Sequence, residues 1–217
     1  MTVNDVLNEL KALSSEDYFM RMNRFGIHFN EAYGVKVPDI RKLAKRVGKN
    51  HPLAMELRKT NVHEAQAMAP MVADYKLISE SDFDDWVNDF KSWDICDGTC
   101  NLLGKTSFAR NKIDEYADNQ SEFAKRTAFV LMCYFAVHEK MKPDDYFYPF
   151  FDLIEREAWD NRNLVRKAVN WALRQIGKRN VHLRMKAIET AEKILLQNTA
   201  SARWIARDAL RELRNIP

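Results

Sequence analysis

The chain has 217 residues, enough for one domain with a substantial core. Hydrophobic residues make up 46% and charged residues 30%, with a formal net charge of +3, which sets it apart from fibrous and disordered chains. Six glycines and six prolines are too few for a β-sandwich built from many turns, so the composition points to helices.

Amphipathic helical periodicity runs almost from end to end. It predicts helices beginning near Val3, Glu16, Pro38, Pro52, Val62, Glu80, Trp93, Ile113, Ser121, Asp144, Asn161, Asn180 and Ser201. Pro38, Pro52 and Pro143 stand where a helix can start without needing their missing N–H, and Gly48, Gly104 and Gly177 stand where helices should stop. No segment alternates strongly enough to be a strand, and no linker or low-complexity tract divides the chain, so residues 1–217 read as one domain. The N-terminal MTVNDVLNELKAL lacks the apolar run of a signal peptide. The longest charge-free apolar stretch, Thr127 to Val137, falls short of the roughly 20 residues a membrane span needs. A cytoplasmic protein without a membrane partner is expected.

A weak repeat accompanies the helices. Lys125-Arg126-Thr127-Ala128, Arg166-Lys167-Ala168 and Arg207-Asp208-Ala209 each set a base shortly before a small residue, with the alanines 40 and 41 residues apart. That is the helix-pair period of HEAT-type arrays. The expected fold is therefore an all-α, right-handed α-solenoid of antiparallel helix pairs, whose concave face would be lined by bases repeated at one phase. Charge is divided along the chain in the same sense. Glu64 to Asp97 holds nine acids against two bases, whereas Asn161 to Arg214 holds thirteen bases against four acids. A polyanion would be oriented on the C-terminal half, although a solvated basic surface produces the same pattern.

Three segments could carry chemistry. In Ser92-Trp93-Asp94-Ile95-Cys96-Asp97, Trp93 and Asp97 stand at i and i+4 on the margin of an apolar side, so indole and carboxylate emerge together. Ser92 or Asp94 could equally be a helix cap and Asp97 a surface acid. Arg126 heads a helix that is apolar all round from Thr127 to Val137, near its N-terminal end, where the helix dipole disfavours a cation. It needs an anionic partner, and Asp97 is a candidate, as a structural salt bridge or as part of a site. On the helix from Asn161 to Lys178, Trp171 lies off the stripe made by Val165, Ala168, Val169, Ala172 and Ile176, with Lys167, Arg174 and Lys178 around it. An aromatic among bases suits a nucleic-acid groove, and it also suits a tryptophan at the core's edge covered by lysine stems. The three cysteines, Cys96, Cys100 and Cys133, form no disulfide framework; Cys96 and Cys100, four apart on one helix, and His138, the nearest imidazole, still lack a fourth zinc ligand. Neither metal nor cofactor is expected.

Phe25 to Lys45 (with AYGVKVPDIRKLAK inside it), KSWDICD, KRTAFVLM and VRKAVNWALRQIGK resemble, in this order, the signature blocks of the AlkD-like DNA alkylation repair proteins. The resemblance runs from about Met20 to Lys178, and its most specific parts are the Trp-x-x-x-Asp pair and the block around Trp171. It implies that Asp97 is the catalytic carboxylate, Arg126 the catalytic-site arginine, and Trp93 and Trp171 the aromatics that hold the lesion's deoxyribose. Phe25 stands where the best-known members carry a tyrosine, and Ser92-Trp93 where they carry paired tryptophans. Phosphate contacts are expected from Lys125, Arg166, Lys167, Arg174, Lys178 and Arg179.

The implied activity is a monofunctional DNA glycosylase of base excision repair that hydrolyses the N-glycosidic bond of N3- or N7-alkylated purines in double-stranded DNA, acting as a monomer. Alkylation makes such a purine cationic, so the base leaves neutral and the sugar becomes oxocarbenium-like. A carboxylate and two indole faces would stabilise that charge. The resemblance further implies that the lesion stays stacked rather than being flipped out. The alternatives are a non-catalytic member that binds damaged or branched DNA and a HEAT-type protein–protein scaffold. Asp97, Arg126 and the two tryptophans speak against the first, and the basic C-terminal half speaks against the second.

Overall fold

The computed structural model describes residues 1–216, and among these thirteen α-helices carry the chain. They are α1 (Val3–Ala12), α2 (Glu16–Arg24), α3 (Val37–Val47), α4 (His51–Leu57), α5 (His63–Val72), α6 (Glu80–Asn88), α7 (Trp93–Leu103), α8 (Ala109–Ala117), α9 (Glu122–His138), α10 (Tyr148–Glu157), α11 (Asn163–Gly177), α12 (Val181–Leu196) and α13 (Ala200–Leu213). Short 3-10 turns occupy Tyr75–Leu77 and Asp144–Tyr146. The one β feature among the described residues is an isolated bridge between Glu31 and Val62. No helix among them is long and apolar enough to cross a membrane.

Capping fixes many of the starts expected from periodicity. Thr2 and Ser79 form reciprocal capping boxes with Asp5 and Asp82, and Ser15, Asn50, Asn180 and Thr199 accept a backbone N–H at their helix starts. Pro38 and Pro52 sit in the first turns of α3 and α4. The start expected at Ile113 is displaced, because α8 begins at Ala109 with a polar, uncapped first turn. Asp144 opens a 3-10 turn, and α10 follows it at Tyr148.

The chain forms two compact units, Met1–Thr106 and Ser107 onward. In the first, α5 packs on α3, α4 and α7 around buried Leu57, Met68, Phe83 and Leu103. In the second, α9 packs between α8 and α11, and α13 packs against both α11 and α12. Phe129, Phe147, Phe150 and Phe151 fill its core with almost no exposure.

Within the second unit the repeat read from sequence takes physical form. Ala128, Ala168 and Ala209 lie on α9, α11 and α13, each with 0% exposure. Contacts between neighbouring helices keep one offset: Arg126 to Leu164, Arg166 to Trp204, Asn170 to Asp208 and Arg174 to Glu212 are all separated by 38 residues. A constant offset means that α11 and α13 ascend together, side by side, as equivalent helices of successive repeats. Small residues at the contact let the backbones approach. Gly177 shows the same need: α11 ends on it, as expected, and an added Cβ would lie 2.8 Å from the Ala187 Cβ and 2.9 Å from Leu213.

Candidate nucleic-acid interface and reaction site

In the first unit, the opening turn of α7 is held by polar bonds from two other segments, the stretch after α2 and the start of α5. Ser92, its N-cap residue, gives no cap bond to the helix. Its hydroxyl instead donates to Asp94 Oδ1 at 2.5 Å and accepts the His28 N–H at 3.4 Å. The other Asp94 oxygen lies 2.8 Å from Nε2 of His63, a residue of α5 that is 4% exposed. Burial pushes the Asp94 carboxyl up, but the His63 bond and charge and the Ser92 hydroxyl outweigh it and hold it below its ordinary range. Asp94 is thus a structural carboxylate. One residue earlier, the Trp93 indole N–H donates to the Phe25 carbonyl at 3.1 Å. That bond fixes the ring plane on the margin of α7, while the Phe25 side chain itself is 55% exposed. Asp97, one turn further, is half-buried on the same margin, and Cys96, Cys100, Leu102 and Leu103 take the buried side.

The neighbouring residue on α5 steadies a second loop. Glu64 is fully buried, and its carboxylate accepts the backbone N–H groups of Tyr33, Gly34 and Val35 at 2.8 to 3.1 Å. Gly34 has φ +74°, and a Cβ there would run into the Ser15 carbonyl and Phe19, so the loop needs both the glycine and the acceptor. Glu64→Ala strands three donors, two of them on buried residues. At about 1–3 kcal/mol for each unsatisfied buried group, a loss of several kcal/mol is expected. Thermal denaturation should register it as a fall of about 10 °C, and an unchanged Tm would refute the role.

The second unit presents Arg126, Trp171 and the basic residues. Arg126 is 6% exposed on the first turns of α9, and its guanidinium donates to the Leu164 carbonyl at 2.6 Å. Trp171 is half-buried on α11, whereas Val165, Ala168, Val169, Ala172 and Ile176 have no exposure, as the stripe predicted. Lys167 is exposed. Arg174 and Lys178 both pair with Glu212 of α13, and Arg174 Nε lies 3.7 Å from Asp208. Lys178 and Arg174 together hold the Glu212 carboxyl below the usual range.

The comparisons with known proteins bear on this arrangement. The family model described as DNA alkylation repair enzyme matches residues 6–213. The chain belongs to that family. A solved structure described as "a new family of proteins related to the HEAT-like repeat DNA glycosylases with affinity for branched DNA structures" superposes with a TM-score of 0.82. It is 22% identical, over 97% of this chain and 95% of that one, and establishes a HEAT-like repeat fold. A designed armadillo repeat protein matches at 15% identity over 81% and 92%, with a TM-score of 0.36, too low to carry an argument. No curated protein sequence matches.

For this member of the DNA alkylation repair enzyme family, two of the expected phosphate ligands need correction. Lys125 is 3% exposed, with its ammonium 2.7 Å from Glu157 and 3.8 Å from Asp160, and 5.6 Å from the Trp159 ring. It is a buried ion-pair lysine and holds no charge out to DNA. Arg179 donates to the Ala136 and Glu139 carbonyls at 2.6 and 3.0 Å and lies 4.1 Å over Phe147, closing the C-terminal end of α9. It could meet a phosphate only by leaving those carbonyls. Arg166 bonds Asn163 at 3.1 Å and covers the Trp204 ring at 5.1 Å. Trp204 is a residue the sequence also marks, because a tryptophan among Arg203, Arg207 and Arg211 repeats the signal that singled out Trp171.

A cavity of about 210 Å³ in the first unit was also not foreseen. Phe29, Trp86, Phe90, Ile95 and Thr99 line it, but neither Trp93 nor Asp97 does. It belongs to the far side of α7. All three cysteines are buried, and among the described residues no cluster of His, Cys, Asp and Glu has the makings of a metal site.

Proposed function

We propose that this family member is a monofunctional DNA glycosylase acting on cationic N3- and N7-alkylated purines in duplex DNA, as a monomer and with its two units working as one domain. The observation that carries the reading is the Trp93–Asp97 pair on α7. An indole locked by the Phe25 carbonyl and a half-buried carboxylate share one helix margin, on a turn braced by His63 and Ser92. The carboxylate would stabilise the developing sugar cation and orient the water, and the indole would add cation–π attraction. For Arg126 on α9 and Trp171 on α11 the proposed roles are those of catalytic-site arginine and deoxyribose contact. Family membership supports a repair role, and the HEAT-like fold supports a DNA-binding one. Incubation with methylated duplex DNA, followed by mass spectrometry of the freed bases, tests the reading. Release of 3-methyladenine and 7-methylguanine is expected, and no release above the spontaneous rate would overturn it.

A second reading, a non-catalytic binder of damaged or branched DNA, is favoured by two observations. The structural relative is described by its affinity for branched DNA, and Phe25 offers an exposed ring without a hydroxyl.

DNA affinity should rest on phosphate contacts, with Lys167, Arg166, Arg174 and Lys178 as ligands. The last two share the single Glu212 carboxylate, so Glu212→Gln should tighten binding to any duplex. The salt slope should steepen by about one to two ionic contacts. Titrations at several salt concentrations measure both, and an unchanged slope would show that Arg174 and Lys178 do not face DNA.

A further inference from the structure

We propose that α13 carries a second nucleic-acid site, a platform for an unpaired nucleotide centred on Trp204. Its occupant is single-stranded nucleic acid, the unpaired arm of a DNA substrate. The inference rests on the DNA-binding reading above, and not on glycosylase activity.

Trp204 is 37% exposed on a helix whose opposite side is packed into the core through Ala202, Ile205, Ala206 and Ala209. A tryptophan left at the surface commonly covers a neighbour, and here the reverse holds. The Arg166 guanidinium lies 5.1 Å from the ring centroid, bracing it from one side. Arg203, Arg207 and Arg211 stand at every fourth position beside the ring, and with Ala200 and Asp208 they line a shallow groove against it. The helical rise sets these three arginines about 6 Å apart along the axis. That spacing suits successive phosphates of an extended strand.

The local chemistry favours a strand over a protein partner. Asp208 is the one acid in the groove, and it is already engaged by Asn170 at 2.7 Å and by Arg211. Arg203 is anchored on the Asn198 carbonyl at 3.0 Å, which fixes the end of the row, and Arg207 is exposed. Positive charge along a groove beside an aromatic face is the arrangement that binds single strands with little sequence preference, because every base has a π-face. A fully paired duplex hides those faces, so Trp204 should contribute little there.

The test uses the full chain and two labelled probes, a blunt duplex and the same duplex with a short unpaired arm, read by fluorescence anisotropy at one salt concentration. The parent protein should bind the armed probe more tightly, on the order of tenfold for one stacked base. Trp204→Ala should erase that preference and leave blunt-duplex affinity near the parent's, whereas Trp204→Phe should keep most of it. Circular dichroism checks the fold of Trp204→Ala. Arg207→Glu reverses a groove charge without touching the core, and should also lower affinity for the armed probe selectively. Equal binding of both probes by the parent would overturn the proposal, as would a preference that survives Trp204→Ala and Arg207→Glu. Base release is assayed separately on the blunt duplex. Its failure would count against the glycosylase reading alone.

Discussion

Asp97→Asn is expected to slow base release by about 10²–10³-fold while leaving the fold and the affinity for lesion-containing DNA near the parent's. The substitution keeps the size of a half-buried side chain while removing its charge and turning one acceptor oxygen into an NH2 donor. The first turn of α7 is braced through Asp94, Ser92 and Trp93. Stability and catalysis should therefore separate at this position. Single-turnover release gives the rate, and a thermal melt with a binding isotherm gives the controls. A variant that unfolds yet releases base normally in its folded fraction would make Asp97 a structural acid.

Substrate scope should be equally sharp: only bases carrying a formal positive charge should leave. A glycosidase that expels a poor leaving group needs a proton donor beside its stabilising carboxylate. The nearest second carboxyl on α7 is Asp94, which is bonded to His63 and Ser92 and held below its ordinary range, so it is ionised near neutral pH and donates nothing. The lesion's own charge must make the base leave. Release of 3-methyladenine and 7-methylguanine is expected, with uracil, hypoxanthine and 8-oxoguanine left in place. Efficient uracil removal from duplex DNA, measured on a single-lesion oligonucleotide, would show that another acid acts.

Helix periodicity was legible in the chain because it is local, and the caps that fix the starts lie beside it. Thr2, Ser15, Ser79 and Asn180 announce their helices within four residues, and the buried alanines at 128, 168 and 209 reveal the repeat because each repeat meets the next at the same phase. What sequence could not show is where long side chains end. Lys125 shares a basic block with Arg126, yet its ammonium is drawn inward by Glu157, 32 residues away. Arg174 and Lys178 do share the α11 face with Trp171, but Glu212 lies across from them, 38 residues beyond Arg174. Nothing local to α5 marks Glu64 as buried, and only the loop at Gly34 explains its burial. The Trp93–Asp97 juxtaposition followed from spacing alone. The bond that orients the indole did not, because its acceptor is a backbone carbonyl 68 residues earlier.

The most direct test is single-turnover release of 7-methylguanine from a duplex carrying one such lesion, at saturating protein, for the parent chain and for Asp97→Asn side by side. Carboxylate-driven hydrolysis predicts clear release by the parent and a rate about 10²–10³-fold lower for the variant at matched DNA binding. Equal rates for the two proteins, or no release by the parent above the spontaneous background, would contradict it.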